Sequence, residues 1–247
     1  MSRREIPGTH VRLASAAKEV VLIALAVVAY FGVRGLTEGG RDAAVHNALR
    51  VIDVERLFGV SSGQRLQDAL LQFPGTETAM NIVYIWGHWP VIFLVACWLF
   101  AARHRTYCLL RNAFLISGAV GLIVFATFPV APPRLAGLGV EDTITQHSYA
   151  YRVLQPPAFV NQYAAMPSLH FGWDLLIGGA LVVEARWRVF RVLGALLPAL
   201  MAIAVLATAN HFVLDVIAGT VVAALGLLAA IALRRWRERP RPREAPA

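Results

Sequence analysis

Cysteine, lysine and acidic residues are all scarce in this chain. Two cysteines in 247 residues, Cys97 and Cys108, cannot build the disulfide framework of a small secreted domain. They flank a short basic loop, fit neither a CxxC pair nor a zinc site, and read as free thiols on the reducing side of a membrane. Lys18 is the only lysine, so nearly all positive charge is arginine. Charged residues make up 15% of the sequence against 57% hydrophobic, with a mean hydropathy of +0.58, which excludes an ordinary soluble domain. No cleaved signal peptide is expected either. Met1 to Lys18 is too long and polar for an n-region, and no small-residue cleavage site follows the first apolar run.

Apolar runs long enough to cross about 30 Å of hydrocarbon occupy most of the length. They lie near residues 19–37, 78–101, 109–128, 168–184, 190–207 and 212–233. The fourth and fifth are separated by Glu184-Ala185-Arg186-Trp187-Arg188, a tight charged hairpin. The expected fold is all-α, a polytopic bundle of six transmembrane helices. Residues 1–18 are read as a cytoplasmic N-tail, 19–77 as the first span with an outer-face segment, 78–233 as a five-helix catalytic core, and 234–247 as a basic disordered C-tail. Within the outer segment, Asp42 to Phe58 and Gln64 to Phe73 carry apolar residues at near-helical spacing, as amphipathic helices on a bilayer surface do. Such helices either roof a site or simply connect spans.

The formal net charge of +8 is not a nucleic-acid footprint. Most of the basic residues fall on one side once six helices are drawn. That side holds Arg3, Arg4, Arg12 and Lys18, the loop residues Arg103, Arg105, Arg111, Arg186, Arg188 and Arg191, and the arginines from Arg234 onward. The positive-inside rule then assigns both termini to the cytoplasm and the chain to the inner membrane. The basic tail is an anchor beside anionic headgroups. No nucleic-acid partner is expected.

Three short stretches, all at extracytoplasmic helix mouths, keep ionisable residues where charge is expensive. In His211-Phe212-Val213-Leu214-Asp215, positions i and i+4 share a helix face, so the carboxylate can hold one imidazole nitrogen and leave the other nucleophilic. An HxxxD that merely packs a helix end has the same pattern. Pro167-Ser168-Leu169-His170 opens another helix. Its free N–H groups and dipole form an anion seat, Ser168 can add a hydroxyl, and His170 can act as a general acid. A cap followed by a surface histidine would look identical. In Ala131-Pro132-Pro133-Arg134, two prolines fix a guanidinium whose planar fork suits a tetrahedral phosphate, where a snorkelling arginine is the alternative. Together the three describe a phosphate-handling site.

In that order on a six-helix chain, these motifs resemble the type-2 phosphatidic acid phosphatase superfamily. The wording of Pro129 to Arg134, Ala165 to Trp173 and Thr208 to Gly219 is similar to its inositol phosphorylceramide synthase (inositolphosphotransferase) branch. The resemblance covers about residues 78–233. It implies that His211 forms a phosphohistidine, that Asp215 orients it, that His170 protonates the leaving group, and that Arg134 and Ser168 hold phosphoryl oxygens. It also implies ping-pong transfer with no metal and no other cofactor.

Two positions depart from the superfamily pattern: Thr127 stands where a lysine is usual, and Val205 where an arginine is usual. Arg152 and Gln155, in the outer loop, are candidates to replace the lost charge. Asp174, four residues after His170, could keep that imidazole protonated or contact an adjacent helix or an acceptor hydroxyl. Tyr84, His88 and Trp89 lie in the second span ahead of Pro90. A histidine there is a functional candidate or a packing hydrogen bond. Glu55 is ambiguous in the same way.

The sequence therefore predicts a membrane enzyme whose partners are the bilayer, a lipid-linked phosphate substrate and a hydroxyl acceptor. Transfer of a phosphoryl-alcohol headgroup is favoured over hydrolysis of phosphatidic acid or a polyprenyl (pyro)phosphate. A catalytically silent lipid-binding scaffold has no reason to keep His170, His211 and Asp215 together. A transporter would need ionisable groups along a path through the midplane.

Overall fold

The computed structural model describes residues 9–36, 40–60, 63–140, 142 and 161–239. Among these the structure is all-helical, with one isolated parallel bridge, Val130 to Ala164, and no strand. The α-helices are α1 (Thr9–Leu36), α2 (Arg41–Leu57), α3 (Gly63–Leu71), α4 (Thr76–Trp86), α5 (Trp89–Ala102), α6 (His104–Thr127), α7 (Leu169–Glu184), α8 (Arg188–Ala207) and α9 (Val213–Arg237). A short 3-10 turn covers Pro133–Leu135.

Among the described residues, four stretches are long and apolar enough to cross a membrane: Thr76–Ala102, which joins α4 and α5, then α6, α8 and α9. The chain is a multi-pass membrane protein. The expected span at 168–184 appears as α7, whose 16 residues give roughly 24 Å of helix, short of the hydrocarbon thickness. α1 begins at Thr9, inside the expected N-tail. α9 runs on to Arg237, so Arg234, Arg235 and Arg237 occupy its last turn, at the negative end of the helix dipole.

The second apolar run is not one helix. It breaks at Gly87-His88, where His88 has φ −98° and ψ −89° and becomes the N-cap of α5. Pro90 is the cause: it cannot donate to the Trp86 carbonyl and its ring displaces that turn. The break turns His88 inward, leaving it 1% exposed.

α7 is the central helix, packed on α8 and α9, and α9 also packs on α6. Close approach of α7 and α9 depends on paired glycines. A Cβ on Gly219 would lie 2.3 Å from the Ser168 carbonyl oxygen, and one on Gly172 would lie 2.7 Å from that of Gly219. Small residues substitute here for a water-driven hydrophobic effect, which lipid does not supply between helices. Trp173 fills the space beside this seam, its indole N–H donating to Ser117 Oγ at 3.1 Å. At the opposite end of the bundle, Glu19 of α1 pairs with Arg111 and accepts from the Tyr107 hydroxyl, tying α1 to α6.

α2 and α3 fold over the end of the bundle that carries the motifs. One face of α2, Ala44, Ala48, Val51 and Glu55, is buried. Its apolar part packs against Val130, Ala131, Ala165 and Phe212. From α3, Gln67 donates to the Ala207 carbonyl at 3.0 Å.

Candidate active site

Main-chain hydrogen bonds sew the three motif segments together. Val130 N–H donates to Tyr163 O at 2.8 Å, and Ala165 N–H to Val130 O at 3.1 Å. Arg134 N–H donates to Ala209 O at 3.1 Å, and Ser168 N–H to Asp215 O at 2.9 Å. α2 joins through Ala131 N–H to Ala44 O at 3.1 Å and Asn47 Nδ2 to Pro129 O at 2.9 Å. Ala209 is held in the left-handed region at φ 52°. This turn lets the N–H groups of Asn210 and His211 both donate to Val205 O at 3.1 Å. Val205, which stands where the superfamily pattern has arginine, is wholly buried and serves through its carbonyl.

The segments surround an open cleft of about 510 Å³ lined by Tyr30, Tyr84, Arg134, Asn161, His170 and His211, among others. The rings of His170 and His211 are 6.3 Å apart. His211 also borders a second cleft of about 580 Å³ on the α2 side, shared with Glu55 and Arg56.

The hydrogen bonding of His211 fixes its tautomer. Nδ1 lies 2.7 Å from the Ala165 carbonyl oxygen and 3.4 Å from Asp215 Oδ2. A carbonyl can only accept, so Nδ1 carries the hydrogen and Nε2 keeps the lone pair. The sequence assigns the orienting role to Asp215 alone. In the structure the nearer partner is a main-chain oxygen, and the Asp215 carboxyl lies farther off, behind the ring. Asp215 Oδ2 instead accepts the Phe212 N–H at 2.8 Å, closing the first turn of α9. Oδ1 has no hydrogen-bond partner among the described residues.

Glu55 completes that helix start. It is 2% exposed and its Oε1 accepts the Leu214 N–H at 2.8 Å, so a carboxylate from α2 caps α9 one residue before Asp215. Burial holds the Glu55 carboxyl above the usual glutamate range. The Leu214 and Val213 N–H groups oppose this, and the Asp215 charge reinforces it.

Arg134 is pinned on both sides. Nε donates to Asn210 Oδ1 at 3.1 Å and Nη1 to Asp142 Oδ2 at 3.2 Å. Ser168 has a different place from the one its motif suggests. It is fully buried, does not line the cleft, and is the N-cap of α7, accepting the Phe171 N–H at 3.5 Å. Thr127, at the other departure from the superfamily pattern, is exposed and donates to the Ile123 carbonyl at 2.8 Å. Arg152 and Gln155 lie outside the described residues.

His170 stacks on Tyr84 at 4.6 Å and lies 4.4 Å from the ring of His88. Asp174 makes the adjacent-helix contact of those open to it: Oδ1 meets His88 Nδ1 at 2.8 Å, both residues buried. Two accessory candidates, Tyr84 and His88, thus converge on His170, with Asp174 behind them.

Sequence reasoning missed the Ala165 carbonyl, Asn210, Asp142 and the cap made by Glu55. Asn210, next to His211, carried a signal in being a polar residue at a helix mouth. The carbonyl carried none, because any residue type supplies one.

The profile of a family described as the PAP2 superfamily matches residues 49–229. The phosphoinositol dihydroceramide synthase of Bacteroides thetaiotaomicron is 26% identical over 166 residues, covering 60% of this chain and 53% of that protein. The chain therefore spans about half the length of the curated relative it matches. No solved structure gives a match. With the three motifs, their order and the matched length in agreement, the chain belongs to the PAP2 superfamily.

Proposed function

We propose that this protein is a membrane phosphotransferase that moves a phosphoryl-alcohol headgroup from a lipid to a hydroxyl acceptor through a phosphohistidine on His211. The observation that carries the reading is the imidazole of His211, locked through Nδ1, facing His170 across a cleft that also holds Arg134. Nε2 attacks phosphorus while the P–O bond to the lipid alkoxide breaks, and His170 gives that oxygen its proton. In the second half-reaction the acceptor hydroxyl returns a proton to His170, its oxygen attacks phosphorus, and the P–N bond breaks. Arg134, held by Asn210 and Asp142, presents its guanidinium to the phosphoryl oxygens. Ser168 acts at one remove by capping α7 beneath His170. The name of the Bacteroides relative supports a phosphoinositol headgroup and a ceramide-type acceptor. Six spans, cytoplasmic termini and an extracytoplasmic site in the inner membrane complete the reading.

The test uses purified protein in detergent. Phosphatidylinositol with a labelled headgroup and dihydroceramide report transfer, and phosphatidic acid reports phosphate release. Transfer is expected, reduced at least about a thousandfold in His211→Ala, with an acid-labile phosphoenzyme trapped only in the wild type. Phosphate release without transfer, lost in the variant, makes the protein a phosphatase. Equal activity in both proteins removes His211 as nucleophile.

A further inference from the structure

Behind His170 lies a buried acid–imidazole pair that the reaction above does not use. Asp174 sits on α7 one turn deeper than His170, is 0% exposed, and lies within an apolar bundle. A carboxylate there needs a counter-charge. Among the described residues its hydrogen-bond partner is His88, and its Oδ2 has none. His88 in turn lies 5.0 Å from the ring of Trp89 and parallel, within 5°, to that of Trp173 at 6.2 Å. The remaining face of His88 is against His170, 4.4 Å away. At that distance two imidazolium rings repel, so one carboxylate has two competing imidazoles.

We infer that Asp174, His88 and His170 form a one-proton store in which the single charge of Asp174 is neutralised by a proton held on either histidine. The inference rests on the reading of His170 as the acid of the reaction. In one state His88 is the imidazolium and His170 is neutral. In the other an N–H bond has broken at His88 Nε2 and one has formed on His170. Asp174 stays ionised and His88 keeps its Nδ1–H donated to it. Both states carry the same net charge, so His170 can be loaded as an acid without adding charge to a buried site. His88 is a positioning residue, acting only through His170. Among the described residues, the other titratable or charged groups around His170 are Tyr84 from α4, Tyr30 from α1 and Arg134 with its Asp142 partner, which share its cleft, and His211 backed by Asp215. They are the same in every variant below and cancel in the comparison.

The experiment is a histidine titration by NMR of the full chain in detergent micelles with 13C-labelled histidine. The His170 resonance is identified by its loss in His170→Ala. In Asp174→Asn the counter-charge is gone and His170 should release its proton about one pH unit or more earlier than in the wild type. In His88→Asn the amide still donates to Asp174 but cannot carry the proton, so His170 should hold its proton to a pH about one unit higher or more. Opposite shifts are the expected result, since a merely structural role would perturb both variants alike. No shift, or shifts in one direction, overturns the proton store. Headgroup transfer undiminished in His170→Ala overturns the acid role of His170 while leaving the titration result to stand by itself.

Discussion

A main-chain oxygen decides which nitrogen of His211 carries hydrogen, and carboxylates decide where the segment bearing it is held. Glu55 is the residue whose contribution can be read by pH. Burial is the main reason its carboxyl lies above the ordinary glutamate range, so the folded protein binds this proton more tightly than the unfolded chain. Stability from the group is then complete at acid pH and declines as pH rises from the ordinary glutamate range through the raised value. Glu55→Gln keeps an oxygen for the Leu214 N–H and does not titrate. Its melting temperature should gain on the wild type across that window and run parallel above it. Scanning calorimetry between pH 4 and 8 checks the sign, and a variant that loses ground to the wild type with rising pH would refute it. Arg134, His170 and His211 were legible as candidate residues because each is a costly side chain at an apolar boundary. Their partners were not, since Ala165 contributes only a carbonyl, and the link from Asp174 to His88 depends on which helices are neighbours.

At the level of elements, the site depends on how closely α7 meets α9. Gly219→Ala puts a methyl group against the Ser168 carbonyl, which is main chain and cannot rotate away. The helices must part, which should cost about 1–3 kcal/mol and carry His170 away from His211. Both thermal stability and headgroup transfer should therefore fall, whereas a variant with normal activity would show that the seam has slack. Hydropathy made the long helices readable, because a continuous apolar run is what a span requires. It could not show that the run at 78–101 is two helices, since the two halves together are apolar enough to read as one span. Pro90 marked a kink but not the inward turn of His88. The apolar positions of α2 were visible as a face. What the face covers, the loops that carry the motifs, depends on contacts between residues about 80 apart.

For the whole molecule, the arginine distribution predicts sidedness. In a Cys97→Ser, Cys108→Ser background, a membrane-impermeant maleimide should label Gln72→Cys, in the exposed turn between α3 and α4, on intact right-side-out vesicles. Glu238→Cys, just past α9, should label only after permeabilisation. The reverse pattern would invert the molecule and move the site to the cytoplasmic face.

The sewing of the three motif segments has a genetic consequence. Its threads are N–H and carbonyl groups of Val130, Arg134, Tyr163, Ala165, Ser168, Ala209 and Asp215, so no replacement other than proline deletes one of them. An alanine scan would flag His211 and Arg134 and score much of the frame that aims them as silent. Amide-to-ester exchange, proline at a donor position, or a side chain large enough to push the segments apart would expose how much of the candidate site is written in main-chain atoms.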